Sequence, residues 1–156
     1  MGIQTITRSM ERERPALPDL DALFPGRFVS ITSFKRDRSG VATPVWAVSD
    51  GRRLYALTDL HSAKVRRIRR NPRVLVAPCR ANGKLRAAPV AARAEVLTAA
   101  AELDRVQRLL RDRYKISYRV VMLGYRLGRR LRGDRAVADG AALAIAVERD
   151  RDPKEG

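Results

Sequence analysis

Alternating apolar and polar positions dominate the first half of the chain and predict three antiparallel β-strands. These strands are expected at residues 27–36, 41–49 and 53–58, where β-branched and aromatic residues recur at every second position. The segment Asp37–Gly40 is typical of a hairpin turn, and Asp50-Gly51 predicts a second hairpin. Tight turns between successive strands indicate that neighbouring strands pair with each other.

The second half of the chain mixes helical and strand patterns. A short, strongly basic helix is predicted after Ser62, and Asn71-Pro72 ends it because proline cannot continue a helix. Two later segments place leucine and valine at helical spacing among arginines. The elements predicted after the basic helix are, in order, a strand at residues 73–79, a strand at about 89–97, helices at 99–114 and about 118–132, and a strand at 141–147.

These elements predict a mainly β (α+β) fold. The expected architecture is a six-stranded antiparallel split β-barrel, with the basic helix after the third strand and two helices before the last strand. We expect residues 19–148 to form this domain, preceded by a flexible N-terminal arm (residues 1–18) and followed by a charged tail (residues 149–156). Because the last strand closes the barrel only after the two helices, we also expect a dimer to stabilise the fold.

The amino-acid composition narrows the classes of binding partner and the cellular compartments that suit this protein. The 33 Lys and Arg residues against 17 Asp and Glu give a formal net charge of +16, which favours an anionic partner. The single cysteine, Cys79, excludes an internal disulfide and a cysteine-based metal cluster. No apolar run approaches the ~20 residues that span a bilayer, and no signal peptide is evident, so a cytoplasmic protein is expected.

The start of the basic helix predicts a phosphate site. Ser62 is placed to cap the helix, whose first backbone N–H groups and positive dipole end would favour an anion. Lys64, in the first turn, would add a mobile ammonium beside that end. Val65 and Ile68 are expected to face the core, and the arginines between them to lie in solvent or to line a surface for an anionic cofactor.

The ordered set of segments resembles the flavin/deazaflavin oxidoreductase superfamily of split β-barrels. This superfamily contains the pyridoxamine-phosphate oxidases and enzymes that use coenzyme F420, a deazaflavin. The resemblance covers about residues 20–148. The segments that carry it are Pro25–Ser30, Ala42–Trp46, Thr58, Ser62–Lys64, Asn71–Val74 and Ala77–Cys79.

The resemblance implies a homodimer with two cofactor sites at the subunit interface. It implies that residues 42–47 line the cofactor ring through their backbone, and that Thr58, Ser62 and Lys64 occupy phosphate-binding positions. The full set of cofactor-binding residues expected on this basis is Ala42, Thr43, Pro44, Val45, Trp46, Thr58, Ser62, Ala63 and Lys64.

Three departures from the pyridoxamine-phosphate oxidase pattern favour the deazaflavin branch. Those oxidases carry an arginine where this chain has Ala63, and basic residues where it has Ala42 and Ala47. Each change removes a donor to phosphate, so activity on a phosphopyridoxyl substrate is not expected. The resemblance therefore implies an F420-dependent oxidoreductase that transfers a hydride between the cofactor and a small or medium organic substrate, with FMN or FAD as alternative cofactors.

No catalytic residue is evident from the sequence, because the cofactor itself supplies hydride chemistry. Candidate proton donors are His61, Tyr114, Tyr118 and Tyr125, each of which is more readily explained as a surface or packing residue. Cys79 is expected to be a buried structural thiol, and no spacing of ligands indicates a metal site.

Other functions remain open at this point. The same fold could bind heme, or carry a cofactor without turnover. The basic helices could instead bind nucleic acid or a membrane surface, although aromatic residues are only 5% of the chain and give little support to base stacking.

Overall fold

The computed structural model describes residues 19–131 and 140–148, with side chains described for residues 19–115, 123 and 140–148. The predicted N-terminal arm (residues 1–18) and charged tail (residues 149–156) lie outside the described residues. So do the side chains of Tyr118 and Tyr125.

The secondary structure follows the predicted order closely. The elements are α1 (Leu20–Leu23), β1 (Phe28–Phe34), β2 (Gly40–Ser49), β3 (Leu54–Asp59), α2 (Ala63–Arg70), β4 (Arg73–Cys79), β5 (Val90–Leu97), α3 (Ala100–Leu131) and β6 (Gly140–Val147). β1 is shorter than predicted because Lys35 N donates to Ser39 O and already belongs to the turn. Lys115, with φ 43° and ψ −115°, interrupts α3, which confirms two consecutive helices.

Within the described residues, six antiparallel strands form a closed barrel in the order β1-β2-β3-β6-β5-β4. The late strand β6 inserts between β3 and β5: Ile145 pairs with Leu54 on one side and with Ala94 on the other. The predicted fold class is therefore confirmed.

The barrel is split between β2 and β3. β1 and β2 pair continuously from Phe28↔Trp46 to Phe34↔Gly40. Within the described chain, β2 and β3 pair only from Ala47↔Ala56 to Ser49↔Leu54. The first seven residues of β2 therefore border a gap rather than a neighbouring strand.

Short helices close the two ends of the barrel. Leu20 and Phe24, in and after α1, join the core cluster that contains the inward-facing Val29 and Val45. Ile68 of α2 joins the same cluster. α3 instead lies on the outer face, where Val106 and Leu110 belong to a second cluster with Val48, Tyr55, Ala142 and Ala144.

No helix in the described part of the chain carries a long enough apolar stretch to cross a lipid bilayer.

Candidate functional site

The gap beside β2 exposes backbone groups of the segment expected to line a cofactor ring. Ala47 N donates to Arg27 O, and Lys35 N donates to Ser39 O, so odd-numbered residues of β2 bond towards β1. Because antiparallel pairing alternates, Ala42, Pro44 and Trp46 direct their backbone groups towards the gap. Pro44 fits there because it lacks an N–H and so has no donor that a neighbouring strand would have to satisfy.

The side chains of this segment divide between the two faces of the sheet. Val45 is buried in the barrel core, and Thr43, two positions earlier, is half-buried on the same face. Ala42 and Pro44 are exposed. Trp46 points to the outer face, where its ring lies 4.9 Å from that of Tyr114, centroid to centroid. Any contact of Trp46 with a ring bound in the gap would therefore be through its backbone.

Tyr114 holds α3 against the segment and is not placed as a proton donor. Its hydroxyl donates to Ala47 O at 2.6 Å, and burial raises its pKa above the ordinary value. The hydroxyl is therefore already used in a hydrogen bond that stabilises the structure next to the gap.

The change Tyr114→Phe should destabilise the protein moderately. It removes the bond to Ala47 O while keeping the ring contact with Trp46, so we expect a loss of about 1 kcal/mol. For a protein of this size the melting temperature should fall by roughly 2–4 °C. An unchanged melting temperature would show that this bond contributes nothing net to the packing of α3.

The predicted helix cap is confirmed. Ser62 is the N-cap of α2, with φ −69° and ψ 152°, and its Oγ accepts a hydrogen bond from Val65 N at 3.3 Å. Val65 and Ile68 are buried as expected, and Ala63 is exposed in the first turn. The cap takes one of the first N–H groups of the helix and leaves others available to a ligand.

Lys64 lies in the first turn of α2, as predicted, but its side chain is largely buried. The residue is only 9% exposed, so it is more buried than the prediction of a mobile ammonium beside the helix end suggests. The reason is that α2 packs against β1 and β5, and its first turn is drawn into the barrel end with Val65. Burial, followed by the neighbouring charge of Arg67, lowers the pKa of Lys64 below its ordinary value. Within the described residues Lys64 forms no hydrogen bond or ion pair, and its ammonium keeps contact with solvent.

Lys64 lies at the end of the barrel that we call the mouth and define by Ser33, Thr43, Thr58, Lys64 and Arg67. Strand alternation places the three hydroxyl residues on the inward face of β1, β2 and β3. Ser33 is fully buried, and its Oγ accepts a hydrogen bond from Arg67 Nε at 2.7 Å. The β2–β3 register, continued two residues past its last pair, sets Thr58 opposite Val45 across the gap.

The mouth thus includes residues of three predicted segments, Thr43, Thr58 and Lys64, and adds Ser33 and a specific contact of Arg67. Ser33 was not singled out, although the period of two in β1 places it on the same face as Val29 and Ile31. Arg67 was expected to be one of several arginines on the helix face. Its contact joins residues 34 positions apart, and the local pattern carries no signal for it.

The remaining candidates are not placed at the mouth as reactive groups. His61 is exposed, with its backbone N donating to Asp59 Oδ1. Cys79 is buried, and burial raises its pKa, which disfavours the reactive thiolate. Among the described residues, no cluster of three or more His, Cys, Asp or Glu could hold a metal ion.

The exposed Ala42 forms part of a small cavity on the outer face of the barrel. Leu75 and Ala77 of β4 and the turn at Gly83 complete its walls, together with Ser30, Thr32, Leu85 and Pro89. Its volume is about 130 Å³. Small-molecule sites usually measure about 300–1,000 Å³, so this surface alone does not enclose a ring system.

Comparison with known proteins assigns the chain to a family. Two solved structures share the fold. A conserved hypothetical protein of Mycobacterium tuberculosis is 22% identical, with 80% of this chain and 74% of that chain covered and a TM-score of 0.54. An FAD-binding protein of Mesorhizobium loti is 18% identical, with 83% of this chain and 85% of that chain covered and a TM-score of 0.54. No curated protein matches the sequence significantly. The profile of the pyridoxamine 5'-phosphate oxidase family matches residues 22–150, which is most of the sequence, and the chain therefore belongs to that family.

Proposed function

We propose that this protein is an oxidoreductase that binds a phosphorylated flavin-type cofactor with the phosphate at the mouth, and that the cofactor is the deazaflavin F420. The observation that carries this proposal is Lys64, a largely buried cation whose ammonium forms no hydrogen bond or ion pair within the described residues and keeps contact with solvent, where a ligand could reach it. Burying an unpaired charge costs free energy, and a bound phosphate would offset that cost. Family membership and the FAD-binding relative from Mesorhizobium support a flavin-type cofactor.

The residues at the mouth suit a phosphate chemically. Lys64 and the first turn of α2 offer an ammonium and backbone N–H groups to the same anion. Thr43 and Thr58 are half-buried and carry hydroxyls that can donate to phosphate oxygens. The dipole of α2 adds further positive potential at this end.

The chain's own part in the reaction would be binding and orientation. The unpaired edge of β2 offers backbone groups at Ala42, Pro44 and Trp46 to the polar edge of a ring. α3 holds this segment through the bond between Tyr114 and Ala47. The cofactor, when bound, supplies the hydride chemistry. The described residues show no side chain poised to move a proton.

A deazaflavin is favoured over FMN because two exposed positions of the candidate site lack donors. Ala63 follows the cap of α2 directly, and Ala42 lies on the edge strand across the gap. In the family pattern both positions are basic, and a terminal phosphate would use such additional donors. The same absences make a phosphopyridoxyl substrate a poor fit, so we propose a different small or medium organic substrate.

The proposal includes a homodimer with the cofactor between the subunits. The cavity at Ala42, about 130 Å³, is smaller than small-molecule sites usually are, which supports a second surface that completes the site. A second copy would bring such a surface by symmetry. On this account, cofactor affinity falls when the protein is diluted until the dimer dissociates.

A titration with three cofactors tests the proposal. F420, FMN and FAD are added separately to the purified protein, and binding is followed by fluorescence and visible absorbance. We expect F420 to bind at micromolar concentration, and FMN and FAD to bind at least tenfold more weakly. Preference for FMN or FAD would replace the deazaflavin with a flavin, and failure of all three to bind would contradict cofactor binding altogether. Heme, added in the same way, tests the heme-binding alternative.

A further inference from the structure

A second cavity lies on the outer face of the barrel, beside the first turns of α3. Its volume is about 250 Å³. Its walls are two residues each from β3, β5 and α3: Arg53, Tyr55, Glu95, Leu97, Glu102 and Arg105. This volume is below the range usual for drug-sized ligands, so the cavity suits a molecule of about the size of one amino acid.

Alanines of β6 account for the space in this cavity. Ala144 pairs with Tyr55 of β3 on one side and with Glu95 of β5 on the other, so its methyl group lies between these two side chains on the outer face. Ala142 pairs in the same way with Leu97. Because the central strand contributes only methyl groups, the larger side chains of the flanking strands rise above it and leave a gap between them.

The charged groups of the cavity differ in how far they are paired. Arg105 Nη2 donates to Asp50 Oδ2 at 2.9 Å, so a carboxylate outside the cavity already balances this charge. Arg53 Nη1 lies 3.7 Å from Glu95 Oε2, which is too far for a hydrogen bond, and both side chains stay largely exposed. Within the described residues, Glu102 has neither an ion pair nor a hydrogen bond. The cavity therefore offers one guanidinium and two carboxylates to a ligand.

The ring of Tyr55 restricts the guanidinium groups on this wall. Arg105 Cζ lies 5.2 Å from the centroid of the ring, and Arg53 Cζ lies 6.0 Å from it. The ring itself is fixed, because Tyr55 is buried and its hydroxyl donates to Asp50 Oδ2 at 3.0 Å. A guanidinium that rests on a fixed ring loses less conformational freedom when it binds a carboxylate. Arg53 is therefore the group of the cavity best placed to hold an anion.

We propose that this cavity binds a small zwitterion of the amino-acid class, with its carboxylate on Arg53, its ammonium on Glu102 and Glu95, and its apolar side chain against Leu97. The inference goes beyond the proposed function, because the cavity shares no residue with the mouth or with β2. Ligands with a single charge fit less well. A carboxylate without an ammonium would face the two glutamates, and an amine without a carboxylate would be repelled by the net charge of +16.

L-Leucine and two truncated analogues test the proposal without any cofactor. Isoamylamine keeps the ammonium and the apolar side chain of leucine but lacks the carboxylate, whereas isocaproate keeps the carboxylate but lacks the ammonium. Their affinities for the whole protein are measured by NMR titration near neutral pH and at constant ionic strength. We expect leucine to bind roughly fivefold more tightly than either analogue, which corresponds to about 1 kcal/mol, the upper range for an exposed ion pair.

Variants at exposed positions locate the site. Arg53→Gln should lower the affinity for leucine by roughly fivefold and leave that for isoamylamine unchanged, because this analogue has no carboxylate. Glu102→Gln should lower the affinity for leucine by a similar factor and leave that for isocaproate unchanged. Arg93→Gln is the matched control. Arg93 Nε lies 3.3 Å from Glu148 Oε1 in another exposed ion pair that does not line the cavity, so this variant should bind leucine as the wild-type protein does.

Three results would overturn the inference. The first is failure of leucine to bind, and the second is equal affinity for leucine and either analogue. The third is an equal fall in leucine affinity in Arg93→Gln, since diffuse surface charge rather than the cavity would then explain the binding. None of these results bears on cofactor binding, which the titration with F420, FMN and FAD tests separately.

Discussion

Replacing Lys64 with methionine should make the protein more stable and, at the same time, lower its affinity for the cofactor. Methionine has a similar length and no charge, so it fills the same largely buried space without the cost of a partly desolvated ammonium. We expect a gain of about 1–2 kcal/mol in the free energy of unfolding without ligand, and a melting temperature higher by a few degrees. Cofactor affinity should fall by about 1.5–3 kcal/mol, the range of a hydrogen bond to a charged group.

The pH dependence of stability gives this prediction a second readout. Burial, followed by the charge of Arg67, lowers the pKa of folded Lys64 below that of the unfolded chain, so between the two values the unfolded state binds more protons. Stability of the ligand-free wild-type protein should therefore rise with pH as the folded lysine loses its proton. Cofactor affinity should fall over the same interval, since the ammonium that binds phosphate is lost. Lys64→Met should show neither dependence.

Lys35→Met is a matched control for Lys64→Met. Lys35 is exposed at the turn between β1 and β2, so the substitution makes the same change in charge without touching a buried group. We expect almost no change in stability or cofactor affinity. A folded Lys64→Met variant that binds the cofactor as tightly as the wild-type protein would remove Lys64 from the site. A destabilised Lys64→Met variant would show that other groups in the protein already compensate the charge of the Lys64 ammonium.

The change Asp50→Ala should produce the second large effect, a loss of stability. Asp50 Oδ1 accepts from the backbone N of Arg52 and of Arg53, each at 2.9 Å. Its Oδ2 accepts from Tyr55 Oη at 3.0 Å and from Arg105 Nη2 at 2.9 Å. One carboxylate thus joins the β2–β3 turn to α3. Because the turn is partly solvated, water can replace some of these bonds, and we expect a loss of about 2 kcal/mol rather than their sum.

Acid should remove the stabilisation by Asp50 in the wild-type protein. Burial alone would raise the pKa of Asp50, but the bonds from Arg53, Arg105, Arg52 and Tyr55 outweigh it and hold the pKa well below its ordinary value. A carboxylate of this kind stabilises the fold above its unfolded pKa near 3.9, and the contribution is lost as pH falls towards the folded value. The stabilities of wild type and Asp50→Ala should therefore converge in acid.

Asp37→Ala provides the comparison for Asp50→Ala. Asp37 occupies the other hairpin turn, is exposed, and accepts hydrogen bonds only from Ser39 N and Oγ among the described contacts. Its replacement should shift the chemical-denaturation midpoint much less than replacement of Asp50. Equal shifts of the denaturation midpoint in the two variants would mean that the bonds of Asp50 to Tyr55 and Arg105 add nothing to the stability of the protein.

Local patterns were sufficient to predict the fold. The alternating pattern and the turn residues predicted β1, β2 and β3, because all the residues that form a hairpin are adjacent in the sequence. The turn at Asp50-Gly51 requires a positive φ, which Gly51 adopts at 91°. Ser62 and the Asn71-Pro72 pair bounded α2 for the same reason. The break between the two helices, at Lys115, also fell where the pattern changed.

The interior of the site could not be predicted in this way. The bond between Ser33 and Arg67, and the contact of Tyr114 with Ala47, each join elements that are distant in sequence. Burial of Lys64 depends on how α2 docks into the barrel end, which no helical period specifies. The sequence therefore located the segments of the candidate site, whereas packing determined which charges within them are left without a partner.

A crystal structure of the protein with bound F420 tests the central claim most directly. We predict the phosphate within hydrogen-bonding distance of Lys64 Nζ, at the start of α2, with the ring along the unpaired edge of β2. A phosphate bound elsewhere, or a mouth filled by the protein's own side chains while the cofactor occupies another surface, would contradict the account.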